Sequence, residues 1–494
     1  MVFPGSLSSG CNRCRKRKIK CDGRRPACRR CELYRTTCPG YERPLVVRFH
    51  AGLRGGVSRD PVVGASSQPH HLIRRLSLLV NSNPTRQPQP SFEEESIMYF
   101  MHEHCVQPGP DAVRGHLDFL QDMYQASNHD SCLRQATLAT AYMSLSRHYK
   151  SSTLYLTARL HYGAALRAIN RDLSASPKAL KDEMLASIMI LGMMEDIDCE
   201  GPKAKTIHMR GISKLYDVIG HRLLSNIGES SLNSWIFSEL QVLSFTGHND
   251  LDCLAIPNAN LNTSNATVRT GIVVTRINQF SRLAKHITVP EEVGGRDHQR
   301  DQLLSAMRQA IDIQLEAAQV AGSLLSPWRP QETTGKRHAN AESSPLFNYT
   351  SRWAACVDSL FDVALILFFS RFLSCCRALL QLDSSIGQSA PETRLAETWM
   401  PLAEAQLRRL AQVLCATMPY MMGEVDEQGT PLTEPQQKAV VMYHLVWPLA
   451  IVIANPQSTS QQVEDCQARL NWIRDRHGIK LASAAPDLAK DMMA

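Results

Sequence analysis

The sequence lacks the signatures of the common enzyme chemistries. It contains no phosphate-binding glycine loop, no HExxH pair and no GxSxG elbow, so the backbone cradles and paired ligands those chemistries use have no candidates. It is also short of long uncharged apolar runs. Val363–Ser370 is cut off by Arg371 and preceded by Asp358 and Asp362, and Ala439–Ala454 contains His444 and Pro448. Both runs fall below the roughly 18–20 residues of a spanning helix, so no membrane partner is expected. Met1–Gly10 carries no charged side chain and no apolar stretch, and so does not read as a secretory signal. Without export the thiols stay reduced, and clustered cysteines then point to metal rather than to disulfides. Alternating strand patterns are scarce, which argues against a β architecture.

The chain has 494 residues, 44% of them apolar and 20% charged, near the globular average and more than one hydrophobic core usually supports. The net charge of +7 is unevenly spread. Residues 11–38 hold eleven cations (Arg13, Arg15, Lys16, Arg17, Lys18, Lys20, Arg24, Arg25, Arg29, Arg30 and Arg35) against Asp22 and Glu32 alone. The rest of the chain is therefore slightly acidic. A short basic module joined to an ordinary globular body is the electrostatic footprint of polyanion binding.

Six of the 15 cysteines fall in the same segment. They are spaced Cys11-x2-Cys14-x6-Cys21-x6-Cys28-x2-Cys31-x6-Cys38, an internal repeat with a period of 17 residues. The x2 spacing brings two thiolates to one metal from a tight turn, and the x6 spacing returns a third from beyond a short helix. Three ligands per half leave a tetrahedral Zn²⁺ one short. Two ions are fully ligated if two of the six thiolates bridge, and symmetry selects the first of each half, Cys11 and Cys28. So short a segment cannot bury an adequate apolar core, so metal binding must supply its folding free energy.

The halves differ between their last two cysteines. The first carries Arg15-Lys16-Arg17-Lys18-Ile19-Lys20 and the second Glu32-Leu33-Tyr34-Arg35-Thr36-Thr37. The first helix is the one dense in cations able to neutralise phosphates and to reach guanine O6 and N7 in the major groove of double-stranded DNA. Arg13, Arg15, Arg17, Lys18 and Lys20 are the candidate DNA-binding residues. Arg29, Arg30 and Arg35 are further candidates for phosphate contact. Ile19 is expected to point inward, and Pro26 to fix the loop between the halves.

These residues resemble the fungal Zn₂Cys₆ binuclear zinc cluster family of transcription factors. All six cysteines fit, as do Cys14-Arg15-x-Arg17-Lys18-x-Lys20-Cys21-Asp22 and the loop proline Pro26. The resemblance implies two Zn²⁺ per chain with Cys11 and Cys28 as the bridging ligands. It implies that Lys18, with Arg17 beside it, reads a CGG-type triplet. Cys38-Pro39-Gly40-Tyr41 with Leu45 and Phe49, the His208-x-x-Gly211 helix entry and the helical body look like factors carrying a fungal-specific regulatory domain. On that resemblance the chain is a nuclear regulator of RNA polymerase II genes, many of them metabolic or secondary-metabolite genes. Its partners would be double-stranded DNA, the transcription machinery and a second copy of the chain.

The expected organisation is a Zn₂Cys₆ domain over 1–41, a flexible basic linker over 42–91 and a large all-α regulatory domain over 92–494. The linker is rich in Pro and Gly. Within it His71–Val80 sets Leu72, Leu76 and Leu79 at helical spacing, too short a run for a dimerising coiled coil. In the body Leu304, Met307, Ile311, Leu315 and Ala318 step by threes and fours, which predicts one buried helix face. Similar spacing predicts helices over 133–149, 153–173, 180–197, 203–219, 353–382, 396–415 and 435–453, with 249–270, 325–350 and 384–392 as connections.

Other polar or soft clusters take ordinary roles. His102, His104 and Cys105 lack a fourth ligand at metal spacing, and His70-His71 lies in the linker. Cys375-Cys376, Met189–Met194 and Phe361–Phe372 are expected to be core. Gly423–Glu434 is expected to be a solvated loop. An alternative makes the body a ligand-binding or enzymatic unit with the zinc cluster as an accessory targeting module, which converging buried polar groups in a pocket would favour. A second alternative makes the cluster itself a metal or redox sensor.

Overall fold

Several helices of this chain begin where a nearby side chain satisfies the first free N–H groups. Ser91 and Glu94 form a capping box at the start of α3 (Phe92–His104), with Ser91 N–H donating to Glu94 Oε2 at 2.8 Å and Glu94 N–H to Ser91 Oγ at 3.2 Å. Thr459 and Gln462 repeat the device at α14 (Ser460–His477), which Gly478 ends in the left-handed conformation at φ 69°. The computed structural model describes residues 11–39 except 18, 25 and 26, then 91–108, 115–175, 181–198, 208, 211, 230–245, 266–289, 295–323, 331–333, 346–349, 351–386, 391–433 and 438–493. The chain divides into two compact units, Met1–Gln87 and Pro88–Ala494.

In the first unit the described elements are two short helices, α1 (Asn12–Lys16) and α2 (Arg29–Leu33). In the second the described residues are largely helical. After α3 come α4 (Leu120–Ala126), α5 (Cys132–Tyr149), α6 (Ser152–Ala175), α7 (Asp182–Asp198), α8 (Ser231–Phe245), α9 (Ala266–Ile287) and α10 (Arg296–Ser323). A small antiparallel pair follows, β1 (Gln331–Thr333) with β2 (Leu346–Asn348), in register Gln331 to Asn348. Then come α11 (Arg352–Ile386), α12 (Pro391–Met421), α13 (Ala439–Ala454), α14 and α15 (Leu481–Met493). The segment 325–350, expected as connection alone, thus holds one short ladder. The expected helix over 203–219 lies outside the described residues except for His208 and Gly211, both helical. The linker and its apolar patch also lie outside them.

Two apolar clusters fill the body. Helices α3 to α8 enclose one, with Phe100, Leu133, Leu145, Leu185 and Met189 buried. Helices α9 to α15 enclose the other, with Phe280, Phe368, Leu407, Val446 and Leu470 buried. Helix α9 serves both, since Val268 belongs to the first and Val273 to the second. Met189–Met194 and Cys375-Cys376 are core residues, as expected. Helix α10 departs from expectation by about one position. Its buried stripe is Leu303, Ala306, Met307, Ala310, Ile313, Ala317 and Val320, whereas Leu315 is 58% exposed. Alanines count weakly in a hydrophobic pattern, yet they let α10 approach its neighbours closely, and that contact sets the rotation of the helix.

Polar groups join the two clusters across α13. This helix has no side-chain cap of its own. Glu103 of α3 supplies it, accepting from Ala439 N–H at 2.9 Å, where the helix dipole favours a carboxylate. Tyr443 donates to Asp196 at 2.5 Å. At the end of α7 the fully buried Asp198 accepts from Arg147, and from Lys480 Nζ at 3.2 Å and Tyr155 Oη at 3.2 Å. A carboxylate at a helix C-terminus opposes the dipole, and these cations offset that. Helix α11 is longer than its sequence pattern suggested, and by length and composition it could cross a membrane. Its most apolar window is 67% buried inside the protein, and buried Arg371 donates to Met492 O at 2.9 Å, the setting of a core helix.

Candidate metal centre and nucleic-acid interface

The basic module is organised around sulfur instead of hydrocarbon. Cys11, Cys14, Cys28 and Cys31 are its buried residues, with Cys21 and Cys38 half-buried beside them. The thiols form two tetrads, Cys11–Cys14–Cys21–Cys28 and Cys11–Cys28–Cys31–Cys38, each with its sulfurs within 4.8 Å of one another. Cys11 and Cys28 belong to both. Sulfur separations are 3.7 Å for Cys11–Cys28, 3.8 Å for Cys14–Cys28 and 3.9 Å for Cys11–Cys31. A tetrahedral zinc with bonds of about 2.3 Å requires about 3.8 Å between its sulfurs. The residues present therefore fit two four-coordinate ions sharing two thiolates.

The 17-residue repeat is visible in the backbone. Arg17 N–H donates to Arg13 O at 3.1 Å, and Tyr34 N–H to Arg30 O at 3.2 Å. Ile19 N–H donates to Cys14 O at 3.0 Å, and Thr36 N–H to Cys31 O at 3.0 Å. Each pair is the same bond moved by one repeat. Both helices are single short turns, too short to persist alone in water. Main-chain N–H groups also point at the thiols: Cys11 N–H at Cys21 Sγ and Cys31 N–H at Cys28 Sγ, both at 3.4 Å. The first of these pulls the Cys21 thiol down to about 7. Desolvation pushes Cys31 up to about 12 and Cys14 higher still. Thiols this crowded need a cation among them before they can be thiolates together.

Sequence reasoning did not anticipate the role of Asp22. Its carboxylate accepts Arg29 N–H at 3.3 Å, holding the first N–H of α2 and so bracing one half against the other. The spacing from an Asp to a helix start seven residues on is the signal that could have revealed it. Ile19 does not point inward; it is 36% exposed. The interior is occupied by sulfur, which leaves no apolar pocket for it to enter.

The cations cover the outside. Lys16, Arg17, Lys20, Arg29, Arg30 and Arg35 are exposed and Arg13 is half-buried. The exposed Arg24 and Glu32 lie 3.9 Å apart, a pair worth little in water. The side chain of Arg15, and Lys18, Arg25 and Pro26 entirely, lie outside the described residues. Exposed cations mounted on a metal-braced frame can follow a phosphate backbone while the frame holds their register.

The remaining sequence candidates take structural positions in the body. His104 Nε2 meets Ser144 Oγ at 3.0 Å and its ring stacks on Phe100. Cys105 is buried. His208 Nε2 lies 3.1 Å from Tyr162 Oη. Gly423–Glu434 is more ordered than a solvated loop over its described part. Asp426 Oδ1 accepts from Gln428 and Thr430 N–H groups, Val425 bridges to Pro431, and Glu424 accepts from Arg469 at 2.7 Å.

Residues 9–46 match the fungal Zn(2)-Cys(6) binuclear cluster domain, and residues 95–248 match the fungal specific transcription factor domain. No curated protein and no solved structure gives a significant match. The fold and the site thus define a DNA-binding protein with a binuclear zinc cluster that takes up two zinc ions. The chain is a Zn₂Cys₆ fungal transcription factor, from a family that is not enzymatic.

Proposed function

We propose that the chain is a nuclear regulator of RNA polymerase II genes that recognises CGG-type half-sites, and that those genes serve a metabolic or secondary-metabolite pathway. The observation that carries the first half of this reading is the pair of cysteine tetrads sharing Cys11 and Cys28 beneath a cationic surface. In it Cys14 and Cys21 complete one zinc site and Cys31 and Cys38 the other, with Cys11 and Cys28 bridging. Zinc supplies the folding free energy of the module. Arg17 and Lys18 read base edges, and Arg13, Arg15 and Lys20 hold phosphates. Residues 1–41 form this domain, 42–91 a linker that sets half-site spacing between two copies, and 92–494 the regulatory body that addresses the transcription machinery.

The test is genome-wide mapping of bound sites together with binding to a CGG-containing duplex and a scrambled one. Wild-type protein is expected to enrich CGG-type sites, Cys14→Ala to lose them, and Lys18→Ala to lose cognate binding far more than non-specific binding. Equal losses on the two duplexes would remove the base-reading role from Lys18. Enrichment with no CGG element would remove the half-site assignment.

A further inference from the structure

A cysteine in a reduced chain usually packs as a small hydrophobe, unless its thiol meets a second thiol and solvent. Cys415 on α12, half-buried and paired with the buried Cys466 of α14, is such an exception. Helix periodicity explains how they come together. Arg408 and Cys415 lie about two turns apart on one face of α12, with Met422 just past its end, and that face runs beside the chain from Asn455 into α14. Arg408 Nη1 donates to Gln457 Oε1 at 2.7 Å, and Asn455 Nδ2 donates to Leu407 O at 3.2 Å. About four turns further along, Arg469 Nη1 lies 2.7 Å from both Met422 Sδ and Glu424 Oε1. Between these rungs the thiols of Cys415 and Cys466 are hydrogen-bonded to each other. Cys466 is 1% exposed, whereas Cys415 is half-buried.

We infer that Cys415 and Cys466 are a peroxide-reactive thiol pair, with Cys415 the attacking and Cys466 the resolving cysteine, which closes into a disulfide joining α12 to α14. In the first step the Cys415 thiolate attacks one oxygen of a hydroperoxide. An S–O bond forms, the O–O bond breaks, the sulfur is oxidised by two electrons, and the departing oxygen takes a proton and leaves as water or alcohol. In the second step Cys466 sulfur attacks Cys415 sulfur. The S–S bond forms, the S–O bond breaks, and the hydroxyl leaves as water with the proton from Cys466.

The electrostatics agree with this order. The hydrogen bond from Cys466 holds the Cys415 thiol below its ordinary range, against burial and with help from the Arg469 guanidinium. The same bond, and burial, push Cys466 up. Among the other described cysteines of the body, burial pushes Cys105, Cys132, Cys356, Cys375 and Cys376 up. The adjacent Cys375-Cys376 therefore lacks the activation that the pair distant in sequence has.

The experiment titrates the zinc-loaded full chain with hydrogen peroxide, blocks free thiols by alkylation, maps peptides by mass, and follows zinc release with a chromophoric chelator. The expected result is loss of two alkylatable thiols and a Cys415–Cys466 linked peptide at peroxide levels that release no zinc, both reversed by dithiothreitol. In Cys466→Ser, Cys415 is expected to be trapped by dimedone as its sulfenic acid, an adduct absent from the wild type. The inference is overturned if wild-type protein releases zinc without forming the linked peptide, or if another body cysteine is oxidised before Cys415.

Discussion

The sharing of Cys11 and Cys28 between two tetrads makes an asymmetric prediction about zinc content. Replacing Cys14 by Ala removes a sulfur from the first tetrad alone and leaves Cys11, Cys28, Cys31 and Cys38 complete. Replacing Cys11 by Ala removes a sulfur from both tetrads and leaves three for each ion. A structural zinc site contributes about 10–16 kcal/mol at neutral pH when its four ligands are present, and the module has no apolar core to fall back on. Cys14→Ala should therefore retain about one zinc per chain, and Cys11→Ala close to none. Native mass spectrometry gives the stoichiometry, and a chelator titration gives the relative affinity of what remains. The shared-ligand geometry would be refuted by equal zinc content in the two variants, whether one ion or none. A further check lies in Cys38→Ala, which should mirror Cys14→Ala by keeping the first tetrad.

Other consequences follow from the body and the basic surface. Burial, and then His477, hold His104 down to about 3. Its neutral form is the one that folds, so its contribution is complete above about pH 6.5 and is lost as pH falls toward 3. Against His104→Gln, the wild type should lose about 2 kcal/mol between pH 7 and pH 5 by urea unfolding, and parallel curves would dismiss the titration. Comparison with the variant removes the opposing effect of Asp358, which burial raises to about 6. Gly478→Ala should destabilise the body by more than the roughly 1–2 kcal/mol of the left-handed backbone alone. Its Cβ would stand 2.4 Å from Arg147 Cβ, the side chain that binds Asp198. Thermal unfolding measures this, and a loss no larger than that of the backbone alone would refute the clash with Arg147. Arg17→Ala should lower the slope of log affinity against log salt by about one if Arg17 contacts a phosphate, and leave that slope nearly unchanged if it reads a base edge.

How legible each feature was depended on how local its cause is. The zinc ligands could be read because x2 and x6 spacings are a statement about one turn and one short helix. The 17-residue repeat was readable for the same reason, and it reappears as hydrogen bonds displaced by one repeat. Helix existence in 132–149, 152–175 and 182–198 could be read from periodicity and end chemistry. The rotation of a helix about its axis was harder. In α10 the alanines at 306, 310 and 317 carry the contact, and a pattern weighted toward leucine turned the helix so that Leu315 seemed buried. Ile19 misled in the opposite way, because an apolar residue suggests an interior and this interior is sulfur.

The sequence by itself determined the chemistry that depends on near neighbours: two zinc ions, a cationic first helix, an acidic remainder, and a helical body. Tertiary structure alone decided which distant groups meet. Glu103 caps α13, Asp198 gathers Arg147, Tyr155 and Lys480, and the thiol of Cys415 finds that of Cys466. The physical reason is that spacing along the chain fixes contact only within a few helical turns. Beyond that, contact depends on how each helix is rotated and packed, and that is settled by the whole core at once.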